Sequence, residues 1–382
     1  MKTLALTNAR LVLHDGVRDG CVIVRDGTIY GVHIGRCEIP HGAGVFDCGG
    51  RYLAPGLIDV HVHGGGGFSL MTDDPEQVRS YARWVAQRGV TGFLISTSGR
   101  DHAEIVRRLE ALAPVVGPVP GGARVLGFHL EGPYINQKRK GAFPEAWLRA
   151  PDVDEYWELV AAADKKVRQV TLAPELPGAD ALIEAVIASG AVAAIGHSDA
   201  AYDEAMAAFA AGVSHVTHCF NAMRPFTHRD PGCLGAIMTA DGVSAELIGD
   251  GAHVDYAAAK LLLRAKGWRD VVLVTDGMPV AGTGEGDAEW EGQRIRVEGG
   301  KAVRVADGTI IGGVITLEQA VHNAVAHMGV ALHDALAMAS WNAARALRIE
   351  GVGRIEAGCA ADLILLDDAL NVVETWIAGE RV

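Results

Sequence analysis

Apolar and polar positions alternate through the first fifty residues, as in Ala9-Arg10-Leu11-Val12-Leu13 and Cys21-Val22-Ile23-Val24-Arg25, with Asp26-Gly27 as a turn. A period of two broken by tight turns predicts short strands rather than helices. The last thirty residues read the same way, through Leu363-Ile364-Leu365-Leu366-Asp367 and Val372-Val373-Glu374-Thr375-Trp376-Ile377. The two termini, 1–53 and 349–382, are therefore expected to pair as one small β-sandwich. Between them, short β-rich runs alternate with longer Ala-, Leu- and Glu-rich stretches, the pattern of repeated βα units around a parallel sheet. Eight candidate strands fall at 56–62, 92–96, 124–130, 167–172, 192–196, 215–219, 244–249 and 270–275. Eight such units predict an α/β fold with a TIM-like (β/α)8 barrel over 54–348. Apolar residues spaced by three and four support helices over 75–88, 179–189, 202–211 and 256–265. Residues 284–312 break the rhythm, and Gln293-Arg294-Ile295-Arg296-Val297 with Ala302-Val303-Arg304-Val305 read as a hairpin inserted after the eighth strand.

Composition narrows the function. Of 382 residues, 49% are apolar and 21% charged, yet no apolar run nears the about 18 to 20 residues that would span a bilayer. With 34 basic against 47 acidic side chains, the net charge of -13 repels a phosphate backbone and excludes nucleic acid and anionic membrane as main partners. A small anionic substrate would need a local basic group. The N-terminus lacks the apolar stretch and small-residue cleavage site of a secretory signal, so a cytoplasmic location is expected. Cys21, Cys37, Cys48, Cys219, Cys233 and Cys359 form no C-x-x-C pair, and reduced thiols are the expectation.

Polar residues gather at the predicted strand ends, where barrels of this kind carry their chemistry. The first strand ends in Asp59-Val60-His61-Val62-His63, and the period of two puts both imidazoles on one face. The third ends in His129-Leu130-Glu131, the fifth in Gly196-His197-Ser198, the sixth in Thr217-His218, and the eighth in Thr275-Asp276-Gly277. His61, His63, Glu131, His197, His218 and Asp276 thus ring one mouth. Neutral imidazoles with a carboxylate suit a divalent ion that keeps a position open for water and lowers its pKa to about 7. A weakly held Asp276 can take the water proton and return it to a leaving amine. Gly64 to Gly67 lacks the ending of a phosphate-binding P-loop and reads as a flexible loop beside the site. His129 reads as a core or supporting histidine, and His215 as structural.

The stretches Ala54-Pro55-Gly56-Leu57-Ile58-Asp59-Val60-His61-Val62-His63-Gly64, His129-Leu130-Glu131-Gly132-Pro133, Ile195-Gly196-His197-Ser198, Thr217-His218 followed by Asn221-Ala222-Met223, Asp250-Gly251-Ala252-His253 and Val274-Thr275-Asp276 resemble the N-acetylglucosamine-6-phosphate deacetylase family of the amidohydrolase superfamily. That resemblance implies a metal-dependent hydrolase that deacetylates N-acetyl-D-glucosamine 6-phosphate in amino-sugar catabolism or recycling, and a homodimer. It implies Glu131, His197 and His218 as ligands of a principal metal, with His61 and His63 holding a second in members that keep the H-x-H. One or two ions per subunit are expected, zinc first, with iron, cobalt or manganese suiting the same donors. Asp276 and His253 are the implied catalytic pair. Asn221, Ala222 and Arg229, the last from the neighbouring subunit, would hold the phosphate, while Asp250, Gly251, Ala252, Ala142, Ile310, Ile311 and Gly312 would line the sugar.

One departure stands out: after Lys140-Gly141-Ala142 many members have a histidine that reaches the substrate, and this chain has Phe143. Either another side chain replaces it or the substrate is a different N-acetyl sugar phosphate, such as N-acetylgalactosamine 6-phosphate. Cyclic-amide hydrolysis ranks lower, because Thr171-Leu172-Ala173-Pro174-Glu175 offers no lysine to bridge two metals at the end of strand four. A silent sugar-phosphate sensor also ranks lower, because a binding module needs no proton shuttle at Asp276.

Overall fold

All eight strands expected in the middle of the chain form in a computed structural model, which describes residues 2–382. They are β1 (Leu57–Asp59), β2 (Val90–Thr97), β3 (Gly122–Glu131), β4 (Val167–Leu172), β5 (Val192–Ile195), β6 (His215–Val216), β7 (Ser244–Ile248) and β8 (Val271–Val274). Their order in the sheet is their order in the chain, and each neighbouring pair is parallel. The ring closes just beyond β1 and β8. There Val62 bridges Gly277, the His63 N–H donates to the Gly277 carbonyl (2.8 Å), and the Asp276 N–H donates to the His61 carbonyl (2.9 Å). The strand expected at 215–219 ends at Val216, because the backbone turns left-handed at His218.

A helix follows each strand: α1 (Pro75–Ala86), α2 (His102–Leu112), α3 (Val153–Ala162), α4 (Ala179–Ala188), α5 (Tyr202–Ala210), α6 (Gly232–Thr239), α7 (Tyr256–Lys266) and α8 (Leu317–Asn323). Several starts are written locally. Asp74, Asp101 and Asp152 precede α1, α2 and α3, and each carboxylate accepts a backbone N–H of the first turn at 2.8 to 2.9 Å. The helices press apolar faces such as Val78, Tyr81 and Val85 of α1 onto the outside of the barrel.

Strands from both termini join in one eight-stranded sheet, where Leu363–Leu366 runs antiparallel to Tyr52–Pro55. Leu6, Leu11, Val22, Leu53, Leu363, Leu365 and Trp376 form its separate apolar core. Here two cysteines depart from the expectation of reduced thiols: Cys21 and Cys37 are disulfide-bonded, the short loop after the strand Thr28–Ile34 bringing their Cα atoms to 5.9 Å, while Cys48, Cys219, Cys233 and Cys359 are free and buried. The insertion after β8 is also larger than a hairpin. Gly286–Trp290, Gln293–Glu298, Lys301–Arg304 and Ile310–Gly312 make a four-stranded antiparallel sheet. Its apolar face, Trp290, Ile295, Val297, Ala302 and Ile311, packs with Met71, Phe143, Trp147 and Met278 beside the barrel mouth. Among the described residues no helix is long and apolar enough to cross a membrane.

Candidate active site

Three of the strand-end residues stand on strained backbone. His197, His218 and Asp276 follow β5, β6 and β8 in the left-handed region, at φ 47°, 28° and 47°. A non-glycine residue there costs on the order of 1–3 kcal/mol, and the surrounding barrel enforces it. The consequence is convergence. His197 Nε2 and His218 Nε2 lie 3.0 Å apart, and both approach Glu131 Oε1, at 3.2 and 3.1 Å. His63 Nε2 is 3.1 Å from Glu131 Oε2 and 3.4 Å from Asp276 Oδ1, and His61 Nε2 is 3.4 Å from both Glu131 Oε1 and Asp276 Oδ1.

Hydrogen bonds on the far side of two rings fix which nitrogen faces inward. A carbonyl or carboxylate only accepts, so His197 donates Nδ1–H to the Arg139 carbonyl (2.8 Å) and His61 donates Nδ1–H to Glu246 Oε2 (2.8 Å). In the neutral imidazoles that a cation requires, these bonds leave the Nε2 lone pairs on the side of the carboxylates. Burial opposes charge on Glu131, but His61, His197 and His218 outweigh it and hold its pKa well below the usual range. Burial likewise presses His63 downward, and Asp276 and Glu131 overcome it, lifting the imidazole to about 9. His253 shows the same contest: burial lowers its pKa, but Asp250, with Oδ2 2.6 Å from Nδ1, wins and raises it.

Two donor sets emerge, Glu131 with His197 and His218, and His61 with His63 and Asp276, each with its ligand atoms within 4.8 Å of one another. The arrangement fits a divalent cation on its own chemistry. Once the imidazoles give up their Nε2 protons, nitrogens and oxygens at about 3 Å repel unless a cation with bonds of about 2.0–2.1 Å lies among them, and the buried His61 Nε2 has no hydrogen-bond partner.

The cavity over these groups is lined by His63, Glu131, His197, His218, Asp276, His253, Asn221, Ala222, Ala142, Ile310, Ile311 and Gly312. His61 lies behind the lining, fully buried. Asp250, Gly251 and Ala252 do not reach the cavity wall; Asp250 instead supports His253 and the N–H groups of Ala252 and His253. Arg229 is exposed in the loop between β6 and α6 and does not line the cavity of this chain. Phe143 is buried, its ring edge-on to His197 with centroids 5.3 Å apart, so it packs a candidate ligand instead of offering a donor. Gly64 to Gly67 is a tight turn, Gly64–Gly65 pairing with Phe68–Ser69, rather than an open loop. His129 is a core residue, between Ser96 Oγ (2.9 Å) and Thr171 Oγ1 (2.8 Å).

Sequence reasoning missed Glu246. It is wholly buried in the middle of β7 and contacts both donor sets, through His61 and the His218 N–H (2.9 Å). The available signal was its position: an acid inside a strand of a parallel sheet covered on both faces has to be paired.

A closed parallel barrel with an H-x-H after β1, a glutamate at the end of β3, histidines after β5 and β6 and an aspartate after β8 defines a class, and the amidohydrolase family profile matches residues 52–382. The chain belongs to the amidohydrolase family. It is 39% identical to the N-acetylglucosamine-6-phosphate deacetylase of Homo sapiens over 348 residues, 88% of this chain and 84% of that protein. It is 35% identical to the N-acetylgalactosamine-6-phosphate deacetylase of Escherichia coli O157:H7 over 380 residues, 99% of each. Among solved structures, a mutant N-acetyl-D-glucosamine-6-phosphate deacetylase from Mycobacterium smegmatis in complex with N-acetyl-D-glucosamine-6-phosphate superposes with a TM-score of 0.93 at 32% identity, covering 100% of this chain and 99% of that one. Within the amidohydrolases, these likenesses put the chain in the N-acetylglucosamine-6-phosphate deacetylase branch.

Proposed function

We propose that this protein hydrolyses the acetamide of an N-acetylhexosamine 6-phosphate, N-acetyl-D-glucosamine 6-phosphate first, to the amino sugar phosphate and acetate. The observation that carries the reading is one cavity wall shared by Glu131, His197, His218, Asp276, His253 and Asn221. Glu131, His197 and His218 would hold the principal divalent ion, and His61 and His63 a second; zinc is the first choice, with iron, cobalt or manganese suited to the same donors. When bound, such an ion supplies Lewis acidity, polarising the amide carbonyl and acidifying water.

The chain's own residues do the rest. Asp276 takes a proton from the attacking water and returns it to the departing amine nitrogen. His253, held by Asp250, whose carboxylate raises its pKa, donates from Nε2 to the carbonyl oxygen as negative charge develops there. Asn221 and the Ala222 backbone receive the phosphate. Arg229, too exposed to serve its own cavity, reaches the partner's site in a homodimer, and its guanidinium supplies the local positive charge that an acidic protein otherwise lacks. A cytoplasmic enzyme of amino-sugar recycling, with a barrel over 54–348 between the two terminal sheet segments, completes the reading.

The galactosamine epimer is the second reading, favoured by the near-complete match to the Escherichia coli protein. Free-amine release from N-acetylglucosamine 6-phosphate, its galactosamine epimer and unphosphorylated N-acetylglucosamine, with zinc-loaded and iron-loaded protein, separates the two. Turnover of a phosphorylated sugar alone is expected. Asp276→Asn should keep the principal ion and lose turnover by about 10²-fold or more; a near-normal rate in that variant removes Asp276 from the mechanism.

A further inference from the structure

Glu246 has no place in the chemistry above, yet no carboxylate among the described residues is more fully engaged. Both oxygens are spent. Oε2 accepts from His61 Nδ1 (2.8 Å) and from the His218 N–H (2.9 Å), while Oε1 accepts from Gln169 Nε2 (2.8 Å) and His215 Nε2 (3.1 Å). Its four partners come from the chain beyond β1, from β4, from β6 and from the turn after β6, so one side chain spans the barrel interior.

Packing alone does not account for a carboxylate here. The side chain is fully buried and no lysine or arginine pairs with it, an expensive place for a charge that an apolar residue of similar size would avoid. What the charge provides is direction. Because a carboxylate cannot donate, a neutral, metal-binding His61 carries its proton on Nδ1, and its Nε2, on the side of Glu131 and Asp276, is left with the lone pair. The same Oε2 grips the peptide N–H of His218 where the backbone turns left-handed. A single oxygen atom therefore holds one residue from each donor set.

We infer that Glu246 is a positioning residue for the metal centre: it sets the tautomer and orientation of His61 and couples the His61–His63–Asp276 set to the Glu131–His197–His218 set, so that holding a second ion depends on it. The inference rests on the metal-dependent reading of the site.

Metal-free protein titrated with cobalt(II) tests it, following the visible absorption bands and counting bound metal by mass spectrometry. Four proteins are compared: wild type, Glu246→Gln, His61→Asn and the double variant. Glu246→Gln keeps shape and one acceptor oxygen but loses the charge. Affinity for the second cobalt equivalent should fall about 10- to 100-fold, the range seen when a ligand's supporting carboxylate is removed, while the first equivalent binds nearly as before. Adding Glu246→Gln to His61→Asn should change cobalt binding no further, because the effect runs through His61.

Wild-type affinity in a folded Glu246→Gln protein overturns the inference, and so does an equal loss in the His61→Asn background, which would mean general damage to the barrel. A wild type that takes up one equivalent only also overturns it, whereas a wild type that takes up none overturns the metal-dependent reading itself. Should Glu246→Gln fail to fold, Glu246→Asp, which keeps the charge but withdraws it by one methylene, should weaken the second equivalent alone; unchanged binding there refutes the proposal.

Discussion

Asp250 and His253 show how a single contact sets a chemical role. Burial works against a charged imidazole at His253, and the Asp250 carboxylate 2.6 Å away more than compensates, so its pKa is raised. A raised pKa keeps the proton donor present at low pH and loses it only as pH climbs through the shifted value. In Asp250→Asn burial acts without its counterweight, and the basic limb of the kcat profile should move to lower pH. A basic limb that stays in place would remove His253 from proton donation to the carbonyl oxygen. At this scale the residue types at the strand ends were legible, because an acid or histidine ending an apolar run is costly unless paired or working. Glu246 was overlooked because it sits inside its strand, and its partners are distant in sequence, Gln169 by 77 residues and His61 by 185.

Elements place these residues through close backbone contact as much as through side chains. Gly196 lies between β4 and β6, where a Cβ would come within 2.6 Å of Thr171 Cγ2 and 2.8 Å of Thr217 Cβ. Both neighbours are tied down, since Thr171 Oγ1 hydrogen-bonds Thr217 Oγ1 at 2.6 Å. Gly196→Ala should therefore push β5 outward, cost about 1–3 kcal/mol by overpacking, and displace His197, the next residue. Denaturant unfolding and metal content measure the two effects; full stability with full metal content would show that the strands give way easily. The strands, and the helices α1, α4, α5 and α7, were readable from periodicity. The exception is 284–312, where only the middle two of four strands showed alternation, Gly286–Trp290 carrying too little apolar pattern and Ile310–Gly312 being only three residues long.

In the whole molecule the two ends of the chain close on each other and hold the start of the barrel. Pro55, two residues before β1, pairs with Leu363, and the Gly56 N–H donates to the Asp362 carbonyl at 2.9 Å. Trp376 is buried in that terminal core, edge-on to Phe46 with centroids 5.1 Å apart. Trp376→Ala should cost about 3–5 kcal/mol in denaturant unfolding while leaving metal binding and KM unchanged, since the cavity lies at the other core. A loss of metal with little loss of stability would mean that the terminal sheet positions the site directly. By itself the sequence determined the βα alternation, the pairing of the termini and the residue types at the mouth, because these depend on local periodicity and on the cost of burying polar groups. Tertiary structure alone decided the left-handed turns that aim His197, His218 and Asp276 inward, the reach of Glu246 across the interior, the Cys21–Cys37 bond and the seating of Phe143 against His197. Each of those depends on atoms from separate strands or loops meeting within a few ångströms, a distance that no spacing along the chain encodes.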